Sequence, residues 1–232
     1  MLKTKSYPFL MEEIAKMVKD LESENNRVAA KDPGTITSLA VVKNFLKNNR
    51  VLCYGGTAIN NLLPKKDQFY NPEEDVPDYD FFSKTPQAHS VTIANQLRKE
   101  GIAAVEVKPG MHLGTFKVFA DFTGVADITH LDEEIFDRLW EQAEVRQGIH
   151  YVPVNFLRMS MYLELSRPHG DVSRWEKVYS RLELLNKAYP TSCSKKDAKQ
   201  HEELTDEQQK GVLKLLKNED VVLLSVSAAE IH

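Results

Sequence analysis

Val51-Leu-Cys-Tyr-Gly-Gly-Thr-Ala-Ile-Asn-Asn-Leu-Leu63 and, further along, Asp78-Tyr-Asp-Phe-Phe82 are the stretches whose reading decides the fold of this chain. In the first, an apolar run of strand length ends in two glycines and a short helical pattern follows at once, stopped by Pro64. Backbone without side chains lets phosphates approach, and a helix N-terminus offers unpaired N–H donors and a positive dipole end. A Gly-Gly pair alone is more often a tight turn. In the second stretch, Asp78 and Asp80 alternate about Tyr79. On a strand, alternate residues share a face, so the two carboxylates stand roughly 7 Å apart on one side. Like charges held that close are costly without cations, and Mg²⁺ (or Mn²⁺) with its preference for oxygen ligands would neutralise them. Chance supplies about one Asp-x-Asp in a chain of this size. The flanking Phe81-Phe82 sets this one apart, because it anchors the acidic pair in an apolar element.

Outward from these stretches, Leu10, Ile14, Met17, Val18 and Leu21 recur at helical spacing, which predicts an amphipathic helix over residues 8–24. Asp32-Pro33-Gly34 reads as a turn, with Thr35 capping a second helix whose apolar face holds Leu39, Val42 and Phe45. Residues 64–77 form a polar loop, 86–100 a helix and 103–107 a strand. A hairpin follows, with Thr115–Phe122 and Val125–Thr129 flanking a Thr123-Gly124 turn. Asp132-Glu133-Glu134 opens a helix to about Ala143, and helical patterns return over 153–166 and 172–186. This order predicts an α+β domain with a mixed β-sheet flanked by helices.

A site for two metal ions needs a third carboxylate. The hairpin offers Asp121 and Asp127, each bracketed by apolar residues, and an aspartate amid core positions is expensive unless paired or liganded. Spacing leaves both open. Arg174 and Lys177 are candidate cations for a triphosphate, with a solvated helix face as the bland reading; Trp175 reads as core. The seven histidines show no metal-ligand spacing.

Composition sets the surroundings. The chain has 232 residues, 42% hydrophobic and 28% charged, as in an ordinary globular protein. Its net charge of −4 argues against a generic basic nucleic-acid coat, though carboxylates of a metal site would contribute to it. No apolar run is long enough for a membrane span, the N-terminus does not read as a secretory signal, and only Cys53 and Cys193 occur. A reducing, cytoplasmic setting without a membrane partner is therefore expected.

Strand, Gly-Gly, short helix, Asp-x-Asp strand and a later strand aspartate resemble the DNA-polymerase-β-like nucleotidyltransferases. A closer likeness is to the poly(A) polymerase catalytic subunits of large nucleocytoplasmic DNA viruses. It lies in Tyr54-Gly-Gly-Thr-Ala-Ile-Asn60, Asp78-Tyr-Asp-Phe-Phe-Ser83, Val125-Ala-Asp-Ile-Thr129 and Arg167-Pro-His-Gly-Asp-Val-Ser-Arg-Trp-Glu-Lys-Val178. The resemblance covers about residues 36–190 and implies a nucleotidyltransferase fold. It places catalysis and metal binding on Asp78, Asp80 and Asp127, the last preferred over Asp121. Nucleotide binding falls to Gly55, Gly56, Thr57, Arg174 and Lys177. The implied reaction is template-independent transfer of AMP from ATP to an RNA 3′ hydroxyl, in the host cytoplasm or the virion. Other nucleotidyltransferases share this core, with a tRNA end, a small molecule or a second nucleotide as acceptor. A silent RNA-binding or assembly module is the reading from another class, and the intact glycines and carboxylates argue against it.

The expected organisation is an N-terminal helical segment over 1–35, a catalytic core over 36–150, a helical nucleotide-binding support over 151–190 and a linker over 191–210. Residues 211–232 then echo the core: Leu215-Leu-Lys-Asn-Glu-Asp-Val-Val-Leu-Leu-Ser-Val-Ser-Ala-Ala-Glu230 can be laid over residues 45–60, with Gly55-Gly56 replaced by Ser225-Val226. They are read as the start of a second, degenerate unit. The remainder of that unit is expected to be missing, which would leave the run Val221–Leu224 partly uncovered and invite aggregation or a homodimer.

Overall fold

The computed structural model describes residues 7–71 and 73–191, together with positions 205, 207, 210, 211 and 214. The run Val221–Leu224, and with it the echo of the core and the surface for a homodimer, lies outside the described residues, as does most of the expected linker. The chain divides into two compact units between Ser160 and Met161.

The first unit is built on a seven-stranded mixed sheet. Its strands are β1 (Leu52–Tyr54), β2 (Tyr79–Ser83), β3 (Val105–Pro109), β4 (Thr115–Ala120), β5 (Thr123–His130), β6 (Glu144–Arg146) and β7 (Ile149–Tyr151). They lie in the order β3-β4-β5-β2-β1-β7-β6. β2 runs parallel to β5 and β1 parallel to β7, while the other neighbours are antiparallel. The mixed sheet and flanking helices are those expected from the element order. The strands β6 and β7 were not among the expected elements. Three residues each are too few to show a period, and their turn, Gln147-Gly148, is made by two positive-φ residues of which only one is glycine.

α1 (Tyr7–Lys31) continues well past the expected end at residue 24, and its stripe of Ile14, Met17, Val18 and Leu21 is exposed. α2 (Pro33–Asn48) starts at the proline rather than at Thr35. Asp32 is the cap, accepting a hydrogen bond from the Thr35 N–H at 2.7 Å, and Pro33 fits the first turn because it has no N–H to satisfy. α3 (Gly55–Leu62) begins on the first glycine itself. α4 (Pro86–Lys99), α5 (Glu133–Glu141) and α6 (Val154–Leu165) complete the elements that contribute to this unit.

Alternation along β2 gives the sheet two unlike faces. Phe81 and Ser83 are fully buried on the face crossed by α2 and α4. There Phe45 of α2 meets the Phe81 ring at 6.0 Å between centroids and the His89 ring of α4 at 5.2 Å. Val118 and Ile128 are buried with them, in register with the same strands. Asp80 and Phe82 occupy the opposite face. Phe82 stacks on Tyr54 at 4.0 Å and takes the edge of Phe156 at 5.8 Å.

The hairpin turns two residues earlier than Thr123-Gly124. Asp121 and Phe122 are the two loop residues, both at positive φ (46° and 69°), and Ala120 pairs directly with Thr123. Two left-handed residues match the right-handed twist of the flanking strands, which is why this turn class closes tight hairpins even without glycine. The register then slips between Val118 and Phe119, a β-bulge around Val125. That slip lets the consecutive Val125 and Ala126 both be buried, and sets the phase in which Asp127 faces away from the core.

In the second unit, a 3-10 turn over Val172–Arg174 leads into α7 (Trp175–Ala188), which buries Val178, Leu182 and Leu185. Among the described residues no helix is long and apolar enough to cross a membrane.

Candidate active site

Four neighbouring strands form the row that holds the acidic cluster. Tyr54 on β1 pairs with Asp80 on β2, Asp80 pairs with Asp127 on β5, and Asp127 pairs with Lys117 on β4. Residues in cross-strand register share a face, so this row runs straight across the sheet. Asp78, two residues before Asp80, joins it from the loop. One carboxylate oxygen from each of Asp78, Asp80 and Asp127 lies within 4.8 Å of the others.

Asp121 is not part of this cluster. It sits in the hairpin turn, where its carboxylate accepts the Ala104 N–H at 2.9 Å and its own N–H donates to the Ala104 carbonyl at 2.7 Å. Its charge is used to tie the turn to the segment before β3.

Gly55 shapes the cluster directly. Its φ of +71° suits glycine, and a Cβ there would lie 2.2 Å from the Asp80 Oδ2. Both the backbone conformation and the space for the carboxylate therefore need a residue without a side chain. Gly56 and Thr57 follow in the first turn of α3, and both are buried. The Thr57 hydroxyl donates to the Asp78 carbonyl at 2.8 Å. Thr57 thus fixes the backbone that carries Asp78. Arg174 and Lys177 belong to the second unit: Arg174 closes the 3-10 turn with its guanidinium 3.5 Å from Glu164, and Lys177 lies in the first turn of α7.

Several contributors are given no role by the sequence reading. Asn60 is buried in α3 and its Oδ1 accepts from the N–H groups of both Phe69 and Tyr70, so it fixes the course of the loop that leads to Asp78. Tyr54 hydrogen-bonds Thr129 at 2.9 Å, and Thr129 bonds Thr115 at 3.0 Å, a polar chain beside the acidic row. Burial first, and the Asp80 charge second, push the Tyr54 phenol well above its ordinary range, so it stays neutral. Lys117 makes an ion pair with Asp127. Burial draws its ammonium down, but its hydrogen bond to Asp127 and the charges of Asp127, Asp78 and Asp80 outweigh this and raise it above its ordinary value. The signal for Lys117 was the alternation of Thr115, Lys117 and Phe119 along one strand face. Only the register shows that this face meets Asp127.

The donor set is chemically suited to a hard divalent ion. Three carboxylates converge, and Gly55 leaves space beside Asp80 that a side chain would fill. Carboxylate oxygens select Mg²⁺ or Mn²⁺ over softer metals.

The sequence model of the family described as the poly(A) polymerase catalytic subunit matches residues 40–171. A relative from Acanthamoeba polyphaga mimivirus, provisionally named a poly(A) polymerase catalytic subunit, is 28% identical over 194 residues, 81% of this chain and 32% of its own. One of the same provisional name from African swine fever virus is 29% identical over 159 residues, 66% of this chain and 33% of its own. The chain therefore spans about a third of the length of these relatives. The crystal structure of the Megavirus polyadenylate synthase superposes with a TM-score of 0.69 at 22% identity, covering 84% of this chain and 41% of that one. That likeness concerns the fold.

Proposed function

This chain belongs to the poly(A) polymerase catalytic subunit family, and from that premise we propose that it carries the core that adds AMP from ATP to RNA 3′ ends. The single observation that carries the reading is the convergence of Asp78, Asp80 and Asp127 beside Gly55. The Asp-x-Asp pair and Asp127 would hold Mg²⁺ or Mn²⁺, and a pair of such ions would supply charge neutralisation and Lewis-acid activation for an in-line displacement at the α-phosphate. In that displacement the RNA 3′ oxygen bonds to the α-phosphorus, the bond to pyrophosphate breaks, and the hydroxyl proton leaves toward a carboxylate. Asp127 is suited to orient that hydroxyl, because it stands across from Asp80 on a separate strand. Gly55 and Gly56, at the N-terminus of α3, give the triphosphate unencumbered backbone N–H donors. Thr57 and Asn60 act indirectly, by fixing the backbone that leads to Asp78. The viral source of the relatives supports a setting in the host cytoplasm or the virion.

The test is incubation of the chain with a short RNA, Mg²⁺ or Mn²⁺, and each nucleoside triphosphate in turn. The expected result is RNA lengthening with ATP and no template. Folded protein that lengthens no RNA, or that transfers the nucleotide only to a tRNA end or a small molecule, would overturn the assignment of substrate.

A further inference from the structure

Lys117 belongs to no motif of the chain, yet its ammonium lies where a metal would compete with it. Its partner Asp127 is the less exposed of the two side chains, at 18% against 40% for Lys117. Asp127 is also the one cluster member delivered by β5, so its carboxylate must be held toward Asp78 and Asp80 against like-charge repulsion. A lysine suits a temporary counter-ion. Its charge is compact, its donors rotate, and its flexible stem can swing away without moving the strand. The neighbouring lysine in the same cross-strand row, Lys108, is held elsewhere, by Glu106 and over the Phe119 ring at 5.2 Å.

We propose that Lys117 is a positioning residue that acts as a placeholder cation: it neutralises the acidic cluster before metal arrives, and a divalent ion must displace it from Asp127 to bind. The inference rests on the reading of the cluster as a metal centre. Two consequences follow from the charges alone. Metal binding by the protein without nucleotide is weakened, because each ion must break the Lys117–Asp127 pair. Nucleotide then strengthens it, because the phosphates offer the released ammonium a new anionic partner.

The experiment is a Mn²⁺ titration followed by electron paramagnetic resonance of the free ion, with and without a non-hydrolysable ATP analogue. It is paired with thermal melts in EDTA, on the wild type, Lys117→Met, Lys117→Arg and Asp127→Asn. Lys117→Met should bind Mn²⁺ alone at least about tenfold more tightly than wild type, since one opposing charge at contact distance has been removed. It should also lose most of the gain from nucleotide and melt lower in EDTA, while Lys117→Arg, which keeps the charge, stays near wild type. If Lys117→Met binds Mn²⁺ no more tightly while Asp127→Asn abolishes binding, the placeholder role is wrong and the metal centre stands. If wild type and both lysine variants bind no Mn²⁺ and Asp127→Asn changes nothing, the metal reading falls and takes the placeholder with it. Should Lys117→Met fail to fold, Lys117→Gln supplies the neutral variant with a shorter polar side chain, held to the same two outcomes.

Discussion

Phe81 and Asp80 are adjacent on one strand and answer to different physics. Phe81 is fully buried, with Phe45, Ile128 and Val118 closing the face that α2 and α4 cover. Asp80 stands on the opposite face in a row with Asp127 and Lys117, where the same sheet gathers like charges that oppose folding. The covered face gains stability from every methylene it buries, while the acidic face is held in place by the covered one. The difference teaches that fold and chemistry should be separable here by shifting a mutation one residue along the chain. Each test below tries to break that separation.

The largest effect is expected at Asp80. Asp80→Ala should lower RNA-dependent AMP transfer by about a thousandfold or more, equivalent to roughly 4 kcal/mol of lost transition-state stabilisation. The metal-free melting temperature should hold or rise, because one of three repelling carboxylates is gone. Rates per folded molecule and a melt in EDTA check both halves. A large destabilisation with unchanged specific activity would make the acidic row structural.

Phe81→Ala is the mirror experiment. Truncating a fully buried phenylalanine costs about 3–5 kcal/mol, from lost burial and the cavity left behind. Denaturant unfolding should show that loss, while the fraction still folded keeps its Mn²⁺ affinity. If Mn²⁺ affinity falls in step with stability, the two faces are coupled and the separation fails.

Gly55 touches both. Gly55→Ala puts a side chain into a left-handed backbone position and within 2.2 Å of the Asp80 carboxylate. The backbone strain should cost about 1–3 kcal/mol, and the displaced Asp80 should weaken metal binding as well. Losing stability without weakening Mn²⁺ binding would show that Asp80 can relax away from the intruding methyl group.

How far the sequence could be read follows the same division. Alternation placed Asp80 on one side of β2 and Phe81 on the other, because a strand has a period of two regardless of what covers it, while Asp78, expected on the strand, reaches the same cluster from the loop just before it. The Gly-Gly junction was legible because glycine is the usual answer to a positive φ. The hairpin turn was misplaced for the same reason: Gly124 drew the turn toward itself, whereas Asp121 and Phe122 take the left-handed positions. Nothing in a phenylalanine announces that conformation. Lys117, Asn60 and the role of the Thr57 hydroxyl depend on register and on the path of a loop, which one sequence does not encode as a local pattern. β6 and β7 were hidden by their length.

The smallest effect sharpens the comparison from the covered side, through His89, one titratable group packed there. The ring packs on Phe45 and its Nδ1 lies 2.8 Å from the Ser83 hydroxyl, which also accepts the Thr85 N–H. Burial lowers its pKa below the ordinary value, so the folded state favours the neutral imidazole. The sign follows from proton counting. Between the depressed folded value and about 6.5, the unfolded chain binds more protons than the folded one, and stability must therefore rise with pH. The full contribution is present above about pH 6.5. It declines as pH falls through that value and levels off once the folded ring also protonates. Melts of wild type and His89→Gln between about pH 7.5 and about pH 5.5 should converge toward the acid end, with wild type losing more. Parallel curves would mean that the ring is solvated in the fold, and that the covered face is less closed around α4 than the Phe45 contact implies.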